Sequence, residues 1–426
     1  MEKNTANPRV TQLLQIVTGI EVLVLLGAGG GLLLQPGVLR EIWPWSLTPF
    51  NAAFLGAVYT GSMVTAAFLV LIGRWSPARV GVPMILLFTA IILVISLAYV
   101  DRFHLGSPSA WLWFVLYVGI PLNAAYHVWL YRNLSPAGQG ADQGRLSETL
   151  RRLLLAEAAV FGLYGFGLLV APERFGAFWP WPIDAFHGRL YSVVFLTPAL
   201  GAWLLARSAV WAEVLMMATT LLAGGVLAVV GLVLTDFRVH RVDWGAAGTW
   251  LWIGLFAIMA LTGAGLWRAL GAIPRPSGPL NESALVVPIR ETALLLGIAF
   301  AAAGIAGFLP IFNHPVPRNA PVLAVSASYG YLLGLFPINA IHSLFHLTLG
   351  VLGLAAYFRA EWSGVYVRGF AVALAILTVM GLLPGFDVTF GLVPLFGHDV
   401  WLHGVEAVAA GYIGFFMPGS QSESTP

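Results

Sequence analysis

The chain has 426 residues, of which 59% are hydrophobic and only 9% are charged, whereas about 25% of the residues of a soluble domain are charged. A mean hydropathy of +0.85 excludes a water-soluble protein, and a net charge of +2 without a basic patch excludes a nucleic-acid binder. The chain has no cysteine, so disulfides and thiolate-bound metals are excluded, and any metal site must use histidine or carboxylate ligands.

Twelve apolar segments approach the length of about 20 residues that a helix needs to cross a bilayer. In chain order they are 11–34, 50–73, 81–100, 109–131, 151–171, 188–208, 212–234, 247–268, 288–309, 332–357, 366–384 and 400–417. The first segment is too long for a secretory signal and lacks a small-residue cleavage site, so we interpret it as a retained span. The runs are continuous rather than alternating, which favours helices over barrel strands. The sequence therefore predicts an all-α polytopic transmembrane helix bundle of about 12 spans.

A repeat organises these segments. A Trp-Pro-Trp motif at 43–45 recurs at 179–181, and Glu21 and Glu157 each lie 22 residues before its first tryptophan. We predict three parallel four-helix repeats, each entering and leaving on the same side of the membrane. They are repeat 1 (1–134), repeat 2 (149–272) and repeat 3 (288–418), with linkers at 135–148 and 273–287 and a tail at 419–426.

Repeat 3 is more diverged. The Trp-Leu-Trp motifs at 111–113 and 250–252 correspond to Trp401-Leu402-His403, and the alignment sets Asn339 opposite Asn51 and His187. This alignment requires an insertion, so we predict that residues 311–328 form a longer loop.

The basic residues predict the orientation. With the N-terminus inside, 14 of the 21 lysines and arginines lie on the inner side and seven on the outer side, as the positive-inside rule requires. The protein is then expected in the cell membrane with both termini in the cytoplasm. Its main partner is expected to be the lipid bilayer, and the sequence does not identify partner proteins. The Trp-Pro-Trp segments are expected at the outer interface as aromatic anchors, with ligand stacking as the alternative.

The last third of the chain carries a recognisable pattern. Asn339, His342 and His346 open one predicted helix, and Leu402-His403 opens another. Over about residues 288–418 this resembles the bacterial four-helix membrane family described as domain of unknown function 4383. The resemblance implies a four-span bundle and supplies no activity.

The same residues predict a cluster. His342 and His346 are four residues apart, and His403 and Glu406 are three apart, so each pair shares one helix face. Both helices begin at the predicted outer surface, which sets the four side chains at similar depth. Three imidazoles and a carboxylate suit zinc or iron. A haem with two axial histidines fits less well, because helices packed about 8–10 Å apart leave no gap for a macrocycle. Interhelical hydrogen bonding remains the alternative to a bound ion.

The other repeats act as an internal comparison. The positions that the sequence aligns with the four cluster residues are apolar: Phe54, Val58, Trp113 and Leu116 in repeat 1, and Leu190, Val194, Trp252 and Leu255 in repeat 2. His314, Asp387 and His398 lie in nearby loops, either as supporting groups or as ordinary loop residues.

Glu21 and Glu157 form a second candidate set. Both are expected inside the bilayer, where a carboxyl group is costly and is therefore paired, protonated or functional. They could form a proton path, or they could bond neighbouring helices as neutral groups.

No nucleophile motif or phosphate-binding loop is present in the sequence. Our first interpretation is a non-enzymatic accessory or scaffold protein with an outer-leaflet histidine cluster. The alternatives are a metal- or haem-binding redox protein and a proton-coupled transporter that uses Glu21 and Glu157.

Overall fold

The structure is a computed structural model. The structure describes residues 7–34, 36–134, 146–207, 210–273 and 289–417, so the predicted linkers and tail fall almost wholly outside the described residues. The chain divides into two compact units, Met1–Gly278 and Pro279–Pro426, called here the N-terminal unit and the C-terminal unit. Predicted repeats 1 and 2 therefore share one unit, and predicted repeat 3 is a unit by itself.

The described part of the N-terminal unit is helical. Its helices are α1 (Gln12–Leu34), α2 (Pro36–Ile42), α3 (Pro49–Ile72), α4 (Trp75–Ala98), α5 (Pro108–Leu130), α6 (Glu148–Val170), α7 (Pro172–Phe175), α8 (Ala185–Tyr191), α9 (Val193–Arg207), α10 (Trp211–Val239) and α11 (Ala247–Ala269).

The described part of the C-terminal unit combines four longer helices with a small sheet. The helices are α12 (Ile289–Phe308), α13 (Ala340–Phe358), α14 (Ala360–Leu382) and α15 (His398–Gly411), and the strands are β1 (Asn313–His314), β2 (Gly330–Leu332) and β3 (Phe336–Ile338). The strands pair antiparallel in the order β1-β2-β3. The predicted long loop thus contains a strand at its start and leads into a hairpin.

Among the described residues, eleven helices are long and apolar enough to cross a membrane, with α8 and α9 together forming one of them. The prediction of an all-α polytopic helix bundle is confirmed. The predicted twelfth span, 400–417, is also helical over almost its whole length, although it is not among these eleven helices. Helix α15 has 14 residues and continues as a π-helical turn, Tyr412–Phe416.

The second helix of each predicted repeat starts with the same kind of cap. In each case a side-chain oxygen accepts the backbone N–H three residues further on, which satisfies a donor that the helix leaves open. The pairs are Thr48 with Asn51, Asp184 with His187, and Asn339 with His342. This register sets His342 opposite Asn51 and His187. The cap register differs by three residues from the sequence alignment of His342 with Phe54 and Leu190, and it sets a polar side chain at this position in all three predicted repeats.

The N-terminal unit has two halves, the first formed by predicted repeat 1 and the second by predicted repeat 2, and each half consists of two helix pairs. Helix α1 packs on α3 and α4 on α5, while α6 packs on α9 and α10 on α11. The halves meet where α3 contacts α10 and α4 contacts α9. At the α3–α10 crossing, a Cβ added to Gly61 would lie 3.0 Å from the Gly224 Cα, so the two helix backbones approach closely.

Among the hydrogen bonds between these halves, two form a reciprocal pair in which each half supplies one donor and one acceptor. The Trp181 indole N–H donates to the Asn51 side-chain oxygen at 2.8 Å, and the Trp45 indole N–H donates to His187 Nε2 at 3.2 Å. Trp45 and Trp181 are 136 residues apart, and so are Asn51 and His187. Each half therefore donates an indole to the capped helix start of the other half.

The expectation that the Trp-Pro-Trp tryptophans anchor the protein at the lipid interface is wrong. Trp43, Trp45, Trp179 and Trp181 are all buried, because their rings pack edge-to-face in the aromatic core where the two halves meet. Aromatic pairs of this geometry add about 0.5–1.5 kcal/mol to the burial of their area.

The two tryptophans of each Trp-Leu-Trp motif differ in exposure. Their first tryptophans, Trp111 and Trp250, are exposed, as an interfacial anchor requires, whereas the third residues, Trp113 and Trp252, are buried. His403 occupies the corresponding third position in repeat 3 and is also buried.

An ion pair joins α4 to α10. The Arg79 guanidinium donates to both oxygens of Glu213 at 2.9 and 2.6 Å, and the Glu213 side chain is fully buried. A bidentate geometry of this kind is the strongest form of such a pair.

A seam of glycines joins α12 to α13 in the C-terminal unit. A Cβ on Gly297 would lie 2.6 Å from the Leu354 backbone nitrogen, and a Cβ on Gly350 would overlap the Ala301 backbone nitrogen. Only glycine allows this approach, so the seam fixes how far α13 lies from α12.

Candidate metal centre

Asn339 fixes the start of α13, the helix that carries two of the predicted site residues. Its side chain is fully buried. The oxygen accepts the His342 backbone N–H, and the amide nitrogen donates to the carbonyls of Val325 at 3.0 Å and Leu392 at 2.7 Å. The amide therefore ties the helix start to the loop before β2 and to the segment before α15.

The structure brings the three predicted histidines together. The ring centroids of His342 and His346 are 4.4 Å apart, and that of His403 lies 5.8 and 6.0 Å from them. One nitrogen from each ring lies within 4.8 Å of the other two. His342 and His403 are buried, and both ring nitrogens of the half-buried His346 are shielded from solvent.

The imidazole nitrogens have unused bonding capacity. Within the part of the chain that the structure describes, both nitrogens of His342 and of His346, and Nδ1 of His403, are buried without a hydrogen-bond partner of ordinary geometry. The Pro337 backbone interacts weakly with His342. A buried polar group without a partner costs about 1–3 kcal/mol, so three such rings in one place require an explanation.

A carboxylate that the sequence analysis did not single out joins the cluster. Asp399 is buried, and its Oδ2 lies 3.5 Å from His403 Nδ1 and 3.9 Å from His342 Nε2. The signal was present in the sequence, because Asp399 and His403 are four residues apart and share a helix face. Glu406, three residues after His403, shares that face equally well, so the spacing alone does not distinguish the two carboxylates.

Glu406 lies at the edge of the cluster. It lines the same cavity as the histidines, it is half-buried, and its Oε2 is buried without a hydrogen-bond partner. It lies outside the set of mutually close ligand atoms, as does Asp399.

The cluster faces a cavity of about 80 Å³. The lining residues are Ala299, Phe300, Ala303, Leu332, Phe336, Pro337, Ile338, His342, His346, Asp399, Leu402, His403 and Glu406. Strands β2 and β3 thus contribute apolar walls at one end. A space of this size holds an ion with a few water molecules, and it is too small for a haem macrocycle. His314, Asp387 and His398 are not among the lining residues.

Glu21 and Glu157 lie apart from this site, in the N-terminal unit. Both are buried. Oε2 of Glu21 and both carboxyl oxygens of Glu157 have no hydrogen-bond partner of ordinary geometry among the described residues. Tyr117 is a polar neighbour of Glu21, and Thr262 is one of Glu157. The carboxyl groups belong to different helix pairs, α1 with α3 and α6 with α9.

The family model described as domain of unknown function 4383 matches residues 290–416. This confirms the resemblance that the sequence pattern indicated for the last third of the chain, and with it a membrane-embedded unit of unknown role. Neither a curated protein nor a solved structure matches the chain significantly.

Proposed function

We propose that this multi-pass membrane protein binds one divalent transition-metal ion in its C-terminal unit through His342, His346 and His403. The observation that supports this most directly is the convergence of three buried imidazoles whose ligand nitrogens lie within 4.8 Å of one another without hydrogen-bond partners of ordinary geometry among the described residues.

The distances suit an ion better than they suit direct contact between the rings. Zinc bound at about 2.0–2.1 Å by each nitrogen sets tetrahedral ligand atoms about 3.3 Å apart. From separations of up to 4.8 Å, the three nitrogens need to close in by up to about 1.5 Å to reach this value, and we expect rotation about the side-chain bonds to allow this. An ion would satisfy three groups that otherwise pay the cost of burial without a partner.

The ligand chemistry narrows the choice of ion. Imidazole nitrogens suit zinc, iron, cobalt, nickel and copper, whereas magnesium and calcium prefer oxygen-only sites. With no cysteine in the chain, soft thiolate ligation is excluded. Zinc or iron, the ions predicted from the sequence, are therefore the first to test.

Interhelical hydrogen bonding is the competing interpretation of the histidines. It requires nitrogen-to-acceptor distances near 2.9 Å, yet the approaches between His342 or His403 and the nearest carboxylate are 3.9 and 3.5 Å. These values favour coordination to a shared ion over a completed hydrogen-bond network.

The test is metal binding by the purified full-length protein. After chelator treatment, titration with Zn²⁺ followed by calorimetry and elemental analysis should give one ion per chain. His346→Ala and His403→Ala should abolish this binding. His314→Ala should retain it, because His314 lies in the same unit but outside the cavity. A wild-type protein that takes up no zinc or iron, or variants that bind as well as the wild type, would refute the proposal.

A further inference from the structure

Resting on the proposed metal function, we further propose that Asp399 supplies the fourth ligand. The ion would then be held by three imidazoles and one carboxylate in a closed tetrahedral set of the kind that zinc prefers.

The distances around Asp399 distinguish a ligand from a hydrogen-bonding partner. A charge-assisted hydrogen bond between a carboxylate and an imidazole is about 2.7–2.9 Å long. The edge of a tetrahedron around zinc is about 3.3–3.5 Å, since the metal-to-ligand distances are about 2.0–2.2 Å. Oδ2 of Asp399 lies 3.5 Å from His403 Nδ1 and 3.9 Å from His342 Nε2. Both values lie nearer to the edge of a coordination polyhedron than to a hydrogen bond.

The burial of Asp399 agrees with this role. Its side chain is 3% exposed, and Oδ2 has no hydrogen-bond partner of ordinary geometry among the described residues. A buried carboxylate without a partner is costly, and coordination to a cation supplies that partner. Asp399 also lies in the first turn of α15.

The backbone arranges the four ligands as two matching pairs. His342 and His346 are four residues apart on α13, and Asp399 and His403 are four residues apart on α15. Side chains at this spacing project from one helix face, one turn apart. Two such pairs on facing helices suffice for four-coordination.

Glu406 then has a different role. A divalent ion bound by one carboxylate leaves one positive charge in a poorly screened interior, where an unpaired charge is costly. Glu406 lines the same cavity, but among the described residues only Asp399 brings a carboxylate oxygen within 4.0 Å of the clustered imidazoles. In this position its carboxylate balances the remaining charge without being a ligand.

Substitution of Asp399 tests this assignment. The full-length protein is loaded with Zn²⁺ for X-ray absorption and with Co²⁺ for visible absorption, whose intensity reports tetrahedral coordination. The wild type should show three imidazoles and one oxygen near 2.0 Å. Asp399→Asn should weaken Zn²⁺ binding by more than the roughly 100-fold that loss of an outer-shell partner costs, and should lose the intense tetrahedral Co²⁺ bands.

Three further variants complete the design. Asp399→His should restore four-coordination, since it replaces one ligand by another. Glu406→Gln should weaken binding but keep the tetrahedral bands, and Asp387→Asn, a loop carboxylate outside the cavity, should match the wild type. If the wild type binds zinc and Asp399→Asn keeps both affinity and bands, the fourth-ligand assignment is refuted while the metal function stands. If Asp399→Asn fails to fold, absence of tetrahedral bands in the folded Asp399→His protein would refute it. A wild type that binds no metal refutes both.

Discussion

The crossed indole bonds of the N-terminal unit predict a specific pattern of energetic coupling. Trp181→Phe removes the N–H that the Asn51 oxygen accepts at 2.8 Å. Asn51 is 3% exposed, so its oxygen is left buried without this donor. Loss of a buried partner costs about 1–3 kcal/mol, and the smaller ring adds a cavity. We expect Trp181→Phe to lower the free energy of unfolding by about 2–3 kcal/mol in total.

Double-mutant cycles isolate the hydrogen bond from the cavity. Coupling energies between polar side chains in membrane proteins average about 0.6 kcal/mol and reach about 1.7 kcal/mol. Trp181→Phe should couple with Asn51→Leu by about 1 kcal/mol, and Trp45→Phe should couple with His187→Leu by a similar amount. The mismatched combinations, Trp181 with His187 and Trp45 with Asn51, should be additive within about 0.3–0.5 kcal/mol.

The assay is reversible unfolding of the full chain in mixed detergent micelles, followed by circular dichroism, because fluorescence would change with each tryptophan removed. The matched and mismatched cycles control for each other, since both use the same four single variants. Coupling in the mismatched cycles that equals or exceeds coupling in the matched ones would show that the halves do not exchange indole donors.

Three other predictions concern separate parts of the molecule. The hydrogen bond with the His187 imidazole lowers the pKa of Asp184 to about 2 from its ordinary value of 3.8. The contribution of the Asp184 carboxylate to stability should therefore be complete above about pH 4 and lost as the pH falls toward 2. Asp184→Asn should remove this part of an acid-unfolding curve, and an unchanged curve would contradict the prediction. Gly350→Leu should cost about 1–3 kcal/mol or more through overpacking at the seam and should weaken metal binding, whereas Gly369→Ala, where an added Cβ meets open space, should do neither. Glu21→Gln and Glu157→Gln should each fold normally, because an amide keeps hydrogen-bonding capacity without a charge; loss of proton-driven flux in vesicles on either substitution would support transport, and absence of flux from the wild type would exclude it.

The membrane fold could be predicted because its signal is spread over whole segments. About 20 apolar residues specify a helix in a bilayer almost regardless of their order. The predicted twelfth span is helical from His398 to Phe416 but is not among the eleven apolar helices. It carries Asp399, His403 and Glu406, which line the cavity.

The histidines could be predicted to converge because helix periodicity and the cap positions act locally. Asp399 was missed for a different reason. Its role depends on distances across two helices, and the sequence offered two carboxylates, at spacings of four and three from His403, with nothing to choose between them. In the structure the two carboxylates differ in burial, since Asp399 is buried while Glu406 is half-buried, and the proposed ligand role of Asp399 follows from this difference and from its distances to the histidines.

The tryptophans show where composition misleads. An indole suits the membrane interface and a protein core equally well, and the sequence alone does not distinguish them. The buried indoles of Trp45 and Trp181 bond to His187 and Asn51, respectively, which are 142 and 130 residues away in the chain. Contacts of such separation leave no local trace.

The Arg79–Glu213 ion pair makes the two halves of the N-terminal unit non-interchangeable. At the repeat offset of 136 residues, Leu215 is the counterpart of Arg79, and Pro77 is the counterpart of Glu213. Pairing between two copies of the first half would bury arginine against proline, and pairing between two copies of the second half would bury glutamate against leucine. Either arrangement leaves a charge without its counter-ion, at a cost of about 3–5 kcal/mol for each side. The two predicted repeats, which would otherwise be free to assemble with copies of themselves, are thereby restricted to pairing the first half with the second.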